Sequence, residues 1–402
     1  MSLDLPKISG TLARSMSSYT SNKKLQIDNL KSIIEFANNV NSQTAIDSTK
    51  YSNTRPYLKA EVADKLIGAY KTPPTPDSWN VISTDGSHID IDRHLPVPCS
   101  LINTGTCYIS YGKKPEANLI NEPSLKLHQE EMYISNPNNH NESELLTGNL
   151  LSIERAIVEI KTLLEQVKLV DNGLPTLALV DGSLILWGLS GQTYKSYVIE
   201  HFVKLGLINT LEELRQLSLT SQITMAAYIS MPRSTEVINA IRATSCPQTS
   251  EFCGERCNSH HSQSLPCSNT NGLLDKDLFD VFLKSGERSP IYKSQSSIPM
   301  MHYGNHHTYF YYLHAGNEIA RIEIPEWIAT NPELLNLNHS IIYDQCKRGQ
   351  GYPVSISEAH EQAVLSGRDR EIFKDLVIQL ALQNNLDTRS SQKDRSKQTP
   401  WL

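Results

Sequence analysis

The sequence Thr176-Leu-Ala-Leu-Val-Asp181-Gly-Ser183 is the strongest indication of the fold class. Its first five residues form a continuous apolar run of strand length, which is typical of a strand covered on both faces of a sheet. A strong amphipathic helix is predicted directly before it, over residues 149–170. A helix followed by a buried strand indicates an α/β sheet, where ligands gather beyond the carboxyl ends of the strands. Asp181 stands at such an end.

A second Asp-Gly-Ser sequence, Asp85-Gly-Ser87, follows another predicted strand, Trp79–Thr84. Because Asp-Gly is a signal for a hairpin turn, we expect the chain to turn there and continue as a β-meander to Tyr111. If the strand before Asp85 pairs in parallel with the strand before Asp181, the two carboxylates meet at one edge of the sheet. Two close carboxylates repel, and a shared proton or a bound divalent cation relieves that repulsion.

The helix before the central strand offers a third carboxylate. Glu159 lies at the margin of its apolar face, Glu154 takes a similar position one turn earlier, and Glu165 follows. The periodicity does not choose between Glu154 and Glu159, and a solvated helix face is the alternative interpretation. Three carboxylates at one sheet edge would suit Mn²⁺ or Mg²⁺.

The composition is that of a globular protein. The 402 residues are 39% hydrophobic and 20% charged, with a net charge of −6. An acidic total argues against a protein that binds polyanions through excess Lys and Arg, so any nucleic-acid site must be local. No apolar run approaches the roughly 18 residues of a membrane span, and the N-terminus lacks the apolar core of a secretory signal. We therefore expect a cytoplasmic protein without a membrane partner.

Local basic residues are candidates for contacts with a DNA backbone. They are Arg233, Lys284, Arg288 and Lys293. The last three share one stretch with little opposing charge, and Arg233 begins a predicted helix whose N-terminal amides favour phosphate. A solvated basic face is the alternative interpretation.

Residues 245–272 form a polar insert that carries thiols and imidazoles. Its cysteines are Cys246, Cys253, Cys257 and Cys267, alongside His260 and His261. The insert has few apolar neighbours to bury free thiols, and disulfides are not expected in a reducing compartment, so we expect a structural metal. Zinc held by four Cys, or by three Cys and a His, stays open. An iron–sulfur cluster and incidental thiols are further alternatives.

The pattern of the whole chain predicts a helical N-terminal region over residues 1–72, an α/β domain over 73–385 and a disordered tail over 386–402. Further elements follow from spacing and composition. They are a helix over Ala60–Tyr70, a loop over 113–148, a hairpin of strands 308–314 and 318–324, and a last helix over 357–384.

Several short motifs, taken together and in order, resemble the NurA nuclease family between about residues 75 and 385. They are Asp85 with its meander, Arg155-Ala-Ile-Val-Glu159, Leu179-Val-Asp181-Gly-Ser, Ala227-Tyr-Ile-Ser with Pro232-Arg-Ser, Ile319-Ala-Arg-Ile-Glu-Ile-Pro, and Gly351-Tyr-Pro with Glu358-Ala-His360. Asp85 and Asp181 match the family's metal-binding aspartates, and Glu159 matches its helical glutamate. Tyr352 and His360 match the Tyr and His of its C-terminal motif.

The resemblance implies a ribonuclease H-like core, built from a β-meander plus parallel strands and flanked by helices. It also implies an Mn²⁺-dependent nuclease that processes DNA ends in double-strand break repair, as a 5′-to-3′ exonuclease and single-strand endonuclease. A HerA-type hexameric ATPase is the implied partner, and a homodimer the implied assembly. The alternative is a non-catalytic repair adaptor that keeps the fold and binds a partner or DNA through the Cys-rich insert.

Overall fold

The structure is a computed structural model and describes residues 4–50, 57–92, 95–191, 193–246 and 268–386. The helices in the described residues are α1 (Leu5–Asn39), α2 (Ser42–Thr49), α3 (Gln129–Met132), α4 (Asn149–Leu169), α5 (Ser196–Ile199), α6 (Asn209–Thr220), α7 (Glu236–Ser245), α8 (Asp275–Phe282), α9 (Ser297–His302), α10 (Glu326–Ala329), α11 (Pro332–Arg348), α12 (Val354–Ala363) and α13 (Gly367–Gln383). A π-helix, Glu200–Ile208, joins α5 to α6.

The strands in the described residues are β1 (Ala60–Val62), β2 (Trp79–Ile89), β3 (Ser100–Tyr111), β4 (Glu116–Lys126), β5 (Tyr133–Asn136), β6 (Asn139–Leu145), β7 (Thr176–Asp181), β8 (Ile223–Ile229), β9 (Tyr292–Ser294), β10 (Thr308–His314) and β11 (Ile319–Pro325). The chain forms two compact units. The first comprises residues 1–72, 230–296 and 309–322, and the second comprises 73–229, 297–308 and 323–402.

The first unit packs helices against a small antiparallel arrangement in which β9 pairs with both β1 and β10. Its core is aromatic: the rings of Phe279 and Tyr312 stack with centroids 4.7 Å apart, and Tyr292 is fully buried beside them. The helix predicted over Ala60–Tyr70 is wrong. Ala60–Val62 is a strand instead, because its backbone pairs with β9 and two of its three side chains are buried.

The second unit is built on a mixed sheet in the order β8-β7-β2-β3-β4. Strands β2, β7 and β8 are parallel, whereas β3 and β4 add antiparallel to β2. Helix α4 covers one face, where the Thr84 hydroxyl donates to the Glu159 carbonyl (3.0 Å). Helix α12 covers the other, where the hydroxyls of Ser83 and Ser355 lie 2.7 Å apart. The predicted mixed α/β sheet with flanking helices is confirmed.

The turn predicted at Asp85-Gly86 is wrong. Strand β2 continues through these residues, and Asp85 pairs with Gly105 of β3 as Gly86 pairs with Thr104. Two long strands therefore replace the predicted shorter strands of the meander. The pairing along β3 supplies the backbone partners that a hairpin turn would otherwise supply.

The loop predicted over residues 113–148 is also wrong. It holds β4, helix α3 and the hairpin of β5 and β6. Strand β4 lies at the edge of the sheet with most side chains exposed, so its sequence lacks the apolar alternation of a half-buried strand. Its Pro123 is tolerated because an edge strand needs backbone donors on one side only.

Near the C-terminus, the predicted strands are confirmed as β10 and β11. The predicted last helix is two helices, α12 and α13, separated at residues 364–366. The predicted tail from 387 onward, and the insert from 247 to 267, lie outside the described residues. Within the part of the chain that is described, no helix is both long enough and apolar enough to cross a membrane.

Candidate metal centre

The two Asp-Gly-Ser sequences lie side by side at the carboxyl edge of the sheet. Strands β2 and β7 run parallel with Thr84 opposite Val180, so Asp85 and Asp181 are the next residues on neighbouring strands. The parallel pairing on which the meeting of the two carboxylates depends is therefore present. Asp85 is 7% exposed, and the Asp181 side chain is half-buried.

Gly86 makes room for the third carboxylate. Along β2, the Asp85 side chain contacts α12, whereas position 86 faces α4. A Cβ atom at Gly86 would lie 2.5 Å from Oε1 of Glu159 and 3.1 Å from its Cγ. Because Gly86 has no side chain, the Glu159 carboxyl occupies that space at the sheet edge.

Glu159 is strongly perturbed by its surroundings. The pKa of Glu159 is raised to about 8, mainly by burial; the Arg155 charge opposes this rise, and the negative charges of Asp85 and Asp181 add to it. Nη1 of Arg155 lies 3.3 Å from Oε1, and that oxygen accepts no hydrogen bond from any described residue. A cation bound beside Glu159 would favour its ionised form and offset the cost of burying that charge.

Each aspartate is held by a side chain from the C-terminal part of the chain. Nδ1 of His360 lies 2.7 Å from Oδ2 of Asp85, and the Tyr352 hydroxyl donates to Oδ1 of Asp181 (3.3 Å). Burial raises the pKa of Asp181, the charge of Asp85 adds to that rise, and the Tyr352 hydrogen bond opposes it. The structure thus brings all five predicted site residues together.

Glu154 lies elsewhere on α4. Its carboxylate is 2.9 Å from the Lys126 ammonium and 3.7 Å from the His201 imidazole. Although burial raises the pKa of Glu154, these two partners outweigh burial and lower it to about 2. Of the two helical candidates, Glu159 is the one whose charge interacts with the aspartates.

The carboxylates suit a hard cation in chemistry but are not arranged as a ready ligand set. Across the described residues, no group of three or more His, Cys, Asp and Glu side chains is positioned to hold a metal ion as it stands. His360, Tyr352 and Arg155 each contact one of the three carboxyls instead. The three carboxyl groups themselves would have to rearrange for Asp85, Glu159 and Asp181 to share one cation.

The predicted DNA contacts lie in the first unit. Arg288 is wrong as a surface contact, because it is 7% exposed, with its guanidinium 4.5 Å from the Tyr70 ring centre. Arg233 and Lys284 are exposed, and Lys293 is half-buried beside Tyr309. Of the predicted thiol ligands, Cys246 is half-buried and free, and Cys253, Cys257 and Cys267 lie outside the described residues.

Two residues of the site were not predicted from the sequence. The Asp-Gly sequence indicates a turn at Gly86, and the apolar periodicity of the helix does not assign Arg155 to Glu159. The spacing of Arg155 and Glu159, four residues apart on one helix face, is the signal that indicates their ion pair.

Comparison with known proteins identifies the family. The NurA domain model matches residues 80–365. The NurA nuclease from Sulfolobus solfataricus is 13% identical, with 94% of this chain and 98% of that chain covered and a TM-score of 0.46. A structure of NurA with manganese is 12% identical, with 90% and 97% covered and a TM-score of 0.36. No curated protein matches significantly. Because the matched domain spans well over half of its residues, the chain belongs to the NurA family.

Proposed function

We propose that this protein is a divalent-metal-dependent nuclease that hydrolyses phosphodiester bonds in DNA, with Asp85, Glu159 and Asp181 as the metal ligands. The observation that carries the proposal is the meeting of three buried or half-buried carboxyls at one sheet edge, where burial and then their mutual charges raise the pKa values of Glu159 and Asp181. Such a cluster is costly for a fold unless a cation or proton neutralises it. Membership of the NurA family, to which a solved nuclease also belongs by name, supports a nuclease role.

The chemistry of the ligands favours Mn²⁺ or Mg²⁺, since carboxylate oxygens suit hard cations. A similar solved structure is of NurA with manganese. When bound, the metal would supply an activated water and neutralise charge on the leaving oxygen.

The two neighbouring side chains have distinct roles in the proposal. His360 fixes Asp85 through Nδ1, which directs its Nε2 away from the carboxylate to exchange a proton with a phosphate oxygen or the leaving group. Tyr352 orients Asp181 through its hydroxyl. Both are positioned by the segment around α12, which closes over the sheet edge.

The finer parts of the proposal come from the family. They are the ribonuclease H-like core, action on DNA ends in break repair as a 5′-to-3′ exonuclease and single-strand endonuclease, partnership with a HerA-type ATPase, a homodimer and a cytoplasmic site of action. Zinc bound by Cys246, Cys253, Cys257 and Cys267 is a separate proposal. Metal analysis of the purified chain tests it, and less than about half an equivalent of zinc or iron would remove it.

The decisive assay uses end-labelled linear and single-stranded DNA with the purified full-length protein. We expect cleavage with Mn²⁺ or Mg²⁺ and none with chelator. Asp85→Asn and Asp181→Asn should each reduce cleavage by at least about a hundredfold, the scale of losing one essential catalytic group. Glu165→Gln, on an exposed part of α4, is the matched control and should cut normally.

The adaptor hypothesis predicts a different outcome. If no DNA is cut with either metal, alone or with a HerA-type ATPase added, the nuclease proposal fails. DNA or partner binding that survives Asp85→Asn but is lost on removal of residues 247–267 would then favour the adaptor.

A further inference from the structure

Strand β2 extends beyond its parallel neighbour. Its pairing with β7 ends at Thr84 opposite Val180, whereas β2 continues to Ile89 alongside β3. The backbone N–H of Asn80 donates to the Pro175 carbonyl, so even-numbered residues of β2 direct their backbone groups toward the β7 side. The carbonyls of Gly86 and His88 therefore face the space beyond the end of β7.

Two arginines from different helices fill that space. Arg155 of α4 donates through Nη1 to the Gly86 carbonyl, and Arg370 of α13 donates through Nη1 to the His88 carbonyl (2.9 Å). Two residues along a strand correspond to about 6.6 Å, so the guanidinium groups form a row beside β2. The row begins at the residue after Asp85 and leads away from the carboxylates.

Three carboxylates, Asp90, Asp92 and Glu371, line a pocket with Arg370, and the first two have other partners. Asp90 accepts hydrogen bonds from the Gly148 N–H and the Thr147 hydroxyl, and Asp92 pairs with Lys374 at 2.7 Å. Burial lowers the pKa of His88, and the charges of Arg155 and Arg370 lower it further against Asp90, so His88 is neutral at neutral pH.

The two arginines differ in their ionic partners. Arg155 has the Glu159 carboxyl 3.3 Å away, whereas among described residues Arg370 forms no ion pair within 4 Å. Arg370 is half-buried, so part of its side chain reaches solvent.

We propose that Arg155 and Arg370 bind successive phosphates of the DNA strand that enters the carboxylate site. This inference rests on the proposed nuclease function and adds the residues that position its substrate. A guanidinium has five N–H donors in one plane, so it can donate one to a strand carbonyl and others to a phosphate. Contacts of this kind hold a strand in register without reading its sequence.

The first test measures binding of single-stranded DNA to the full-length protein by fluorescence anisotropy. Chelator is present so that no strand is cut. Arg370→Gln removes the charge and keeps a polar side chain with an amide donor. We expect weaker binding, and a slope of log affinity against log salt concentration that is smaller in magnitude by about 0.7, the value for one lost phosphate contact on a single strand.

Arg368→Gln is the matched control. It removes the same charge from the same helix, two residues away and hence on another side of α13, and should leave the slope unchanged. An unchanged slope in Arg370→Gln would overturn the proposal, because it would show that Arg370 only caps the strand edge. Thermal unfolding of both variants shows whether either loss comes from misfolding.

The second test leaves the protein intact. Oligonucleotides carrying one neutral methylphosphonate, moved stepwise along the strand, should show a position where wild-type binding weakens and Arg370→Gln binding does not weaken further. Such non-additivity identifies a direct pair. Additive losses at every position would contradict the proposal. Both tests are independent of cleavage, so failure of the nuclease proposal would appear separately, as uncut DNA in Mn²⁺.

Discussion

At the scale of single residues, the site depends on a missing side chain. Gly86 lies within a strand, and the space that its Cβ would occupy holds the Glu159 carboxyl. A glycine inside a strand marks a close approach of another group. From the sequence, the same glycine looked like part of a turn, because the partner that approaches it lies on a helix more than seventy residues later.

We predict that Gly86→Ala removes metal binding while leaving the fold intact. The new Cβ would lie 2.5 Å from Oε1 of Glu159 and 3.2 Å from Cγ of Arg155, so the carboxyl must move away from the aspartates. Overpacking of this kind lowers the free energy of unfolding by about 1–3 kcal/mol. Mn²⁺ titration calorimetry measures the loss. Gly10→Ala, where nothing lies within 4 Å, is the control, and equal Mn²⁺ affinity in both variants would contradict the account.

Without metal, Glu159 should destabilise the fold as pH rises. Burial raises the pKa of Glu159 from 4.5 to about 8, so the folded state keeps a proton that the unfolded state loses above pH 4.5. Stability is therefore lost as pH rises from about 4.5 to about 8.

We predict that Glu159→Gln in chelator unfolds at a higher temperature than wild type at pH 8, with the gap closing toward pH 4.5. Thermal unfolding followed by circular dichroism across this pH range checks the prediction. A variant that is less stable than wild type at pH 8 would show that Arg155 outweighs burial.

At the scale of elements, the sequence predicts the helices and strands whose apolar pattern matches their burial. It does not predict elements that depend on pairing with strands distant in sequence. Strand β7 and helix α4 were predictable because their apolar patterns match their burial. The sequence leaves open whether the strands before Asp85 and Asp181 pair in parallel, as they do in the structure. Strand β4 was not predictable, because an exposed edge strand has no apolar alternation.

On helix α4, the structure gives different surroundings to two glutamates that the apolar periodicity does not distinguish. Glu154 pairs with Lys126 near one end of β4, and Glu159 reaches the sheet edge beside Gly86. The difference arises from which partners the sheet presents to each turn of the helix. Partners so distant in sequence leave no local signal.

We predict opposite effects on cleavage for the Glu154→Gln and Glu159→Gln variants of α4. Glu154→Gln should keep nuclease activity but lower the free energy of unfolding by about 1–3 kcal/mol, since Lys126 loses a buried partner. The pKa of Glu154, about 2, means that its stabilisation is present above pH 4.5 and lost as pH falls toward 2. Glu159→Gln should abolish cleavage. If Glu154→Gln lost cleavage while Glu159→Gln cut DNA normally, Glu154 and not Glu159 would be the metal ligand on α4.

At the scale of the whole molecule, part of the net charge of −6 comes from one cluster of carboxyls. Part of the acidic excess is the cluster of Asp85, Glu159 and Asp181, whose negative charge a divalent cation would offset. The guanidinium groups of Arg155 and Arg370 line strand β2 from Gly86 onward, directly beside that cluster. The net charge is therefore a poor predictor of DNA binding, and the local distribution of charged side chains is a better one.

The most direct test of the central claim is a titration of Mn²⁺ into the full-length protein, with free Mn²⁺ measured by electron paramagnetic resonance. We predict saturable binding to wild type and to Glu154→Gln, and loss of that binding in Asp85→Asn, Glu159→Gln and Asp181→Asn alike. Wild-type Mn²⁺ binding in all three of these variants would show that the carboxylates at the sheet edge do not form the metal centre.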